Sequence, residues 1–140
     1  MMKNLVGDVD KFIINTEERM LAVARQSISA VIEDAQVPVA KGGRMRVKTG
    51  FLRSSGLAEL NTVPVGPTRG DPDGRYNWTA DKLNLVLARM KLGDVFYFGW
   101  TANYARTREV FDAFLETAVQ KWQTHVNNAV SYFRNKDSSK

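Results

Sequence analysis

The chain has 140 residues, of which 44% are hydrophobic and 25% charged, and this balance indicates one globular domain of ordinary size rather than a disordered chain. It contains no cysteine, which excludes a disulfide framework and any cysteine-based zinc site. The formal net charge of +5 permits contact with nucleic acid or with an acidic protein surface, and it is equally compatible with ordinary solubility.

The first predicted element is a long amphipathic helix over residues 8–34. Apolar residues recur there at steps of three and four, and no Gly or Pro interrupts the run. Pro38 predicts its end, because the residue before a proline avoids helical backbone angles. Asp8 and Asp10 soon follow the first apolar residues, so we expect neither a signal peptide nor a membrane span at this end.

A basic loop is predicted over residues 39–53. Residues 42–50 have nearly the spacing of a phosphate-binding loop, but Val47 stands where that loop needs its second glycine, so we expect no nucleotide site. No acid interrupts the bases of this loop, which are Lys41, Arg44, Arg46, Lys48 and Arg53. They predict either a solvated loop or a surface that faces an acidic partner or the phosphates of passing DNA, since such contact needs only charge.

The middle of the chain predicts a strand, a long loop and a hairpin. The strand covers residues 57–65, and the loop rich in Pro and Gly covers residues 64–81. Tyr76 and Trp78 lie in this loop, where aromatic rings either anchor a partner or fold back onto the sheet. Residues 82–90 alternate in apolar character and residues 95–101 are rich in aromatics, and the tight turn between them predicts an antiparallel hairpin.

A second long amphipathic helix is predicted over residues 107–133, followed by a frayed polar tail at 135–140. Each helix must bury its apolar stripe, and the sheet offers the available surface. The expected fold is therefore α+β, a single domain over residues 1–140 in which the two long helices pack on a small antiparallel sheet. One face of the hairpin should meet the helices and the other should meet another subunit.

The sequence contains no positive sign of an enzyme. His125, the single histidine, falls beside the apolar stripe of the second helix, where a packed or boundary residue is expected. Asp71 and Asp73 lie among Pro and Gly residues and are expected to form turns rather than to bind metal. We therefore expect no catalytic residue, no bound metal and no cofactor.

Three blocks of residues resemble motifs of the tail-completion (head–tail joining) proteins of tailed bacteriophages. The first block, residues 42–55, resembles the family's P-V-x-T-G-x-L-R-x-S segment through Val47, Thr49, Gly50, Leu52, Arg53 and Ser55. The second, residues 93–109, resembles the family's hairpin and its turn into the last helix through Gly99, Trp100, Asn103, Tyr104, Ala105 and Glu109. The third, residues 114–126, resembles the family's F-[VL]-x-x-A-x-Q-x-W helix through Phe114, Leu115, Ala118, Gln120 and Trp122.

The chain departs from the family pattern in its loops. Arg46 stands where many relatives carry a proline, and Lys48 stands where they carry an acid. Relatives often have a Gly-rich loop after the glutamate that matches Glu109, whereas a helix is predicted to follow at once here. These differences bear on the roles of the loops more than on the fold.

The resemblance implies a structural virion protein of the neck, made in the host cytoplasm. It would form a homo-oligomeric ring around the DNA channel that joins the head connector to the tail tube. A hexamer is expected, with twelve copies as the alternative on the portal side. Its partners would be neck proteins on the head side and the tail terminator or tube protein on the tail side, with non-specific proximity to DNA and no membrane.

The same resemblance suggests roles for particular residues. The five bases of the basic loop would contact the channel or an acidic partner, and Tyr76 and Trp78 would lie in a subunit or partner interface. Scaffold roles are expected for Thr49, Gly50, Leu52, Gly99, Trp100, Tyr104, Glu109 and Trp122. Among these, Thr49 could cap the next element, and Gly99 would let the hairpin pass close to a helix or a neighbouring backbone.

Three other functions remain open on the sequence. A tail terminator, the ring that stops growth of the tube, belongs to the same structural class. A small basic nucleic-acid-binding protein belongs to another, and it would show a steep dependence of DNA affinity on salt. A small hydrolase would depend on His125 or on a carboxylate of the long loop.

Overall fold

The computed structural model describes residues 5–138, with side chains described from residue 15 to residue 136. In this part of the chain the fold is α+β, as predicted: six α-helices accompany a two-stranded antiparallel sheet, against which helices pack. Residues 61–80 contain neither helix nor strand.

The longest element is α1 (Leu5–Ala35), where the sequence predicts a helix over residues 8–34. Its last turns are buried, with Ile32 only 6% exposed. Helical geometry ends before Pro38, whose φ of −66° and ψ of 153° are extended. The first part of the predicted apolar stripe, residues 8–14, lies outside the described side chains.

The sheet pairs β1 (Gly56–Leu60) with β2 (Phe96–Trp100), and a short helix, α2 (Phe51–Ser54), leads into β1. The strand predicted over residues 57–65 is wrong beyond its first part, because β1 ends at residue 60. Asn61, with a φ of 64°, turns the chain into the loop.

The predicted hairpin is wrong in its first strand, because that segment forms α3 (Asp81–Arg89). Leucines at every second position favoured a strand, yet the buried side chains lie at helical spacing: Leu83, Val86, Leu87 and Met90. The same apolar run fits both periods, and burial of one helical face decides between them. The tight turn joins α3 to β2, so the two strands of the sheet are separated by a long connection.

The single second helix predicted over residues 107–133 is also wrong, since the chain forms three helices: α4 (Ala105–Asp112), α5 (Phe114–Gln120) and α6 (Trp122–Ser138). Ala113, at φ 52° and ψ 41°, separates α4 from α5.

Part of the apolar stripe predicted for the second helix is exposed, because the helix breaks at Ala113. Val110 and Phe111 of α4 are 76% and 74% exposed, although the sequence assigned them to a buried stripe. At the other end, α6 continues to Ser138 through most of the tail predicted to be frayed. Residues 139–140 lie outside the described part of the chain.

Buried side chains form three clusters. The first consists of Met45, Phe51, Leu52, Ala102 and Phe114. The second joins α1 to α3 through Ile32, Leu83, Leu87 and Met90. The third joins α1 to α5 through Val31, Ala35 and Ala118. Trp100 packs against both the first and the third cluster and so links them.

The two faces of the sheet have different surroundings. The inner face packs against the second and third clusters and carries Ala58, Leu60, Phe96, Phe98 and Trp100. Strand alternation places Leu57, Glu59, Tyr97 and Gly99 on the opposite, outer face.

His125 lies at the contact between α6 and α1, in the packed position that the sequence predicts. Its Nε2 is 3.6 Å from Oδ2 of Asp34, and Nζ of Lys121 is 3.5 Å from the same oxygen. These polar side chains therefore lie together where the two helices meet.

Candidate subunit and partner interface

The basic loop is anchored to the fold at its centre. Met45 is fully buried in the first cluster, its N–H donates to the carbonyl of Val37 at 3.2 Å, and its carbonyl accepts from the N–H of Val39 at 3.0 Å. A side chain at Gly43 would overlap the backbone of Val37, so the return of the loop needs glycine there. The backbone that carries Arg44 and Arg46, on either side of Met45, is therefore fixed by the burial and hydrogen bonds of Met45.

The structure divides the five predicted bases into two groups. Lys41, Arg44, Arg46 and Lys48 have exposed side chains on the loop. Arg53 instead points into the fold: its Nε donates to the carbonyl of Gln36 at 2.7 Å, and its guanidinium lies 5.3 Å from the ring centre of Trp78. Since both contacts are internal, Arg53 stabilises the joint between α1 and α2.

Asp112 at the end of α4 organises part of the exposed group. Both of its carboxylate oxygens accept from Arg108, at 2.7 and 3.0 Å, and Nε of Arg46 is 3.5 Å from Oδ1. The hydrogen bonds from Arg108 hold the pKa of Asp112 below its ordinary value. Arg44 also reaches this helix end, with Nη1 at 3.5 Å from the carbonyl oxygen of Asp112.

Lys41 and Lys48 have no such role. Among the described residues, neither ammonium makes a hydrogen bond or an ion pair. They are therefore the two charges of the loop that are available to a partner without breaking a contact inside the subunit.

A cleft of about 460 Å³ opens beside the basic loop. Its wall includes the cationic side chains of Arg46, Lys48 and Arg108 together with Tyr104, and Asp71 lies on its rim. Because cations outnumber acids here, the cleft suits a negatively charged side chain of another protein better than a cation.

Tyr76 and Trp78, predicted as interface anchors, both have rings that fold back onto their own subunit. The ring of Tyr76 packs edge to face on Phe51, with ring centres 5.2 Å apart, and its hydroxyl accepts from the N–H of Asp71 at 2.8 Å. Trp78 packs against the second cluster, under Arg53. Both rings therefore hold the long loop in place.

The first block of motif residues builds the turn from the basic loop into α2. Gly50 has a φ of 87°, and a Cβ there would overlap the carbonyl oxygen of Tyr76. The hydroxyl of Thr49 accepts from the N–H of Phe51 at 3.2 Å, which satisfies one amide of the helix start. Leu52 is buried in the first cluster.

Of the other scaffold residues, Glu109 and Trp100 make hydrogen bonds inside the subunit. The carboxylate of Glu109 accepts from the N–H groups of Leu115 and Glu116, at 3.0 and 3.1 Å, and so stabilises the start of α5. Indole Nε1 of Trp100 donates to the side chain of Gln36 at 3.1 Å. Tyr104 and Trp122, to which the resemblance gives scaffold roles, are 40% and 43% exposed.

The role predicted for Gly99 is wrong. A Cβ built there meets no atom within 4 Å, so no helix or neighbouring backbone of the described chain approaches it. Gly99 lies on the outer face of the sheet, opposite Leu57. Its lack of a side chain therefore leaves this part of β2 open.

Sequence reasoning overlooked two features of this surface. Asp112 could have been found from its spacing of four residues after Arg108, a common spacing for helical ion pairs. Val63 and Val65, which are 65% and 91% exposed, flank Pro64 and were assigned to the end of the predicted strand, but they lie beyond β1. Their exposure depends on how the loop lies on the sheet.

The described side chains include no group of three or more His, Asp or Glu placed to hold a metal ion. Among the helices in the described part of the chain, none is long and apolar enough to cross a membrane. Comparison with protein-family models, with curated proteins and with solved structures finds no match for this chain. The likeness to tail-completion proteins therefore rests on the three blocks of residues.

Proposed function

We propose that this chain is a structural protein of a tailed-bacteriophage neck, a tail-completion protein whose ring joins the head connector to the tail tube around the DNA channel. The observation that carries the proposal is the convergence of the three resembling blocks. Leu52 of the first block, Ala105 of the second and Phe114 of the third belong to or pack against one cluster. The likeness therefore concerns residues that form a single packed unit.

Such a ring works by shape and contact rather than by chemistry. A closed ring of identical subunits needs two different patches on each subunit, one of which meets the other patch on the next copy. The segment after β1 presents exposed Val63 and Val65, and β2 lies at an edge of the two-stranded sheet. We assign these two surfaces, the valine segment and the β2 side of the sheet, to the contact between subunits.

The basic loop has a separate role in this proposal. Lys41 and Lys48 are exposed and uncommitted, while Arg44 and Arg46 are positioned by the end of α4. We assign these four bases to the channel wall or to an acidic neck partner, where they would act by non-specific attraction. Arg53 is excluded from this set because its guanidinium is engaged inside the subunit.

The assembly is tested first on the purified chain. We expect sedimentation to give a mass near six times the 15.7 kDa of one chain, and negative-stain electron microscopy to show rings with an open centre. The protein should also be found in purified virus particles, at the junction of head and tail. A chain that stays monomeric at high concentration and is missing from particles would contradict the proposal.

The role of the basic loop is tested by head–tail joining. The double variant Lys41→Gln, Lys48→Gln should lower the yield of joined particles several-fold without changing stability, because neither ammonium has a partner within the described subunit. A matched control is Lys82→Gln, Lys91→Gln, which removes two exposed lysines, one in the first turn of α3 and one in the turn that follows α3. Equal joining by both variants would show that the loop is only a solvated surface.

The tail-terminator alternative predicts a different defect. Particles made without the protein should have tails of normal length that remain unattached if it is a tail-completion protein. If it stops tube growth instead, the tails should be longer than normal. Electron micrographs of a deletion mutant distinguish the two.

A further inference from the structure

The sheet has an open edge at β2. The N–H of Thr101 donates to the carbonyl of Ser55, and the N–H of Asn61 donates to that of Val95. This register turns the backbone groups of Phe96, Phe98 and Trp100 away from β1. In the described part of the chain these outward groups have no backbone partner, so β2 is available for an added strand.

An apolar groove runs beside this edge on the inner face of the sheet. It has a volume of about 180 Å³ and is lined by apolar side chains from α1, from β2 and from the two C-terminal helices. Phe98 and Trp100 form its sheet wall, and Leu115 and Trp122 form its outer wall. The volume is below the roughly 300 Å³ at which small-molecule pockets begin, so it suits one or two side chains.

The chain itself contains a segment with matching properties. Val63 and Val65 are 65% and 91% exposed, whereas Pro64 between them is partly covered. Residues 63–67 contain neither a turn nor a bend, and the backbone of residues 62–66 makes no hydrogen bond within the described subunit. Residues 63–65 therefore form a segment without a bend that has two exposed apolar side chains and no backbone hydrogen bond within the described subunit.

A subunit cannot place this segment in its own groove. Its end is held on the outer face of the sheet, where Gly66 lies against Leu57 and Oγ1 of Thr101 donates to the carbonyl of Pro67 at 2.6 Å. The groove is lined by α1, β2 and the C-terminal helices, whereas residues 64–67 line a different cleft beside β1 and α3. The segment can therefore reach such a groove only in another copy.

We infer that residues 63–65 of one copy add as a strand to the free edge of β2 in the next copy, with Val63 and Val65 in its apolar groove; this rests on the proposed ring. Alternate residues of a strand share a face, so both valines enter the groove together. Backbone groups at positions 63 and 65 then pair with β2, while Pro64, which lacks an N–H, points away from the ladder. Because edge and segment are different patches, the contact is of the kind that closes rings.

Disulfide trapping tests the contact directly, since the natural chain has no cysteine. The variant Val65→Cys, Leu115→Cys places one thiol on the segment and one at the groove. Under mild oxidation it should give a ladder of covalent oligomers up to the closed ring. Each single-cysteine variant should stop at dimers, and a mixture of the two should give crosslinked dimers between different chains.

A second test replaces the two valines with charged residues. Val63→Asp, Val65→Asp should weaken ring assembly more than tenfold, because it would bury two carboxylates in an apolar groove. Val110→Asp is the control, since Val110 is 76% exposed on α4 and does not line the groove. Thermal unfolding of each variant as a monomer checks that folding is intact.

The outcomes separate this inference from the ring itself. If the natural chain forms rings that persist with both aspartates, and the double cysteine yields no ladder, the strand contact is overturned and the ring stands. If a ladder forms but no closed ring is ever seen, the contact stands and the proposed neck ring fails. Monomers without a ladder overturn both.

Discussion

Gly50 and Gly42 are two residues with nearly the same backbone and very different surroundings. Both have positive φ, 87° and 88°, which an L side chain adopts only at a cost. At Gly50 a Cβ would also overlap the carbonyl oxygen of Tyr76, whereas at Gly42 it would meet open space. The first glycine therefore fixes the contact between the basic loop and the long loop, and the second only turns the chain.

This difference predicts unequal costs for the same substitution. Gly42→Ala should lower the free energy of unfolding by about 1 kcal/mol, from backbone strain alone. Gly50→Ala should lower it by about 3 kcal/mol or more, because the clash with Tyr76 is added. Urea unfolding of the two variants measures both, and equal costs would contradict the close contact.

The carboxylate of Asp112 should make the stability of the protein depend on pH. Its pKa is lowered from the ordinary 3.8, first by the hydrogen bonds from Arg108, so the folded state favours the ionised form. The resulting stability is present above the ordinary pKa and is lost as the pH falls through the lowered pKa. Asp112→Asn should therefore cost about 1–2 kcal/mol at pH 7, and the difference from the natural chain should shrink below about pH 4.

Urea midpoints at pH 7 and pH 3 measure this effect. The control is Asp73→Asn, which removes an exposed carboxylate whose oxygens accept no hydrogen bond in the described structure. Its midpoint should stay close to that of the natural chain at both values. A pH-independent loss in the Asp112 variant would show that packing rather than charge is responsible.

At the scale of elements, the breaks between helices were the hardest feature to predict. The run over residues 107–133 has an uninterrupted apolar stripe and contains neither Gly nor Pro, so local rules favour one helix. The chain bends at Ala113 because Phe114 is buried in the first cluster and Ala118 in the third. Those partners come from distant parts of the chain, and no local pattern reveals them.

Because of this break, replacing Ala113 with glycine should stabilise the protein, whereas glycine usually destabilises a helical region. Ala113 holds a left-handed conformation that glycine adopts freely, so Ala113→Gly should raise the free energy of unfolding by about 0.5–1 kcal/mol. The control Ala88→Gly, at an exposed position inside α3, should lower it by about 1 kcal/mol. Chemical denaturation measures the free energy of unfolding of both variants. If Ala113→Gly destabilises the protein as Ala88→Gly does, the left-handed conformation of Ala113 is contradicted.

On the scale of the whole molecule, the distribution of charge distinguishes the proposed neck protein from a nucleic-acid-binding module. The net charge is +5, but Arg44 and Arg46 approach the end of α4, and Arg53 is engaged within the fold. Within the basic loop, Lys41 and Lys48 are the charges that make no contact in the described subunit. The molecule should therefore attract DNA weakly and without sequence preference.

A salt titration of duplex binding measures this property. We expect weak binding at about 50 mM salt and a slope of log affinity against log salt no steeper than about −3, since few phosphates would be contacted. A slope near −6 or steeper, with tight binding, would favour the nucleic-acid-binding alternative. The Lys41→Gln, Lys48→Gln variant shows whether the basic loop supplies the attraction.

The sequence by itself determined the features that depend on neighbouring residues. The helix before Pro38, the aromatic strand that became β2 and the α+β class all follow from local spacing and backbone chemistry. Only the tertiary structure decided the features that depend on distant partners, and there it overturned or settled the local prediction. Residues 82–90 became a helix, and the rings of Tyr76 and Trp78 turned inward, because burial against distant partners outweighs local preference. The open edge of β2 and its groove likewise exist only once α1, the sheet and the C-terminal helices are packed together.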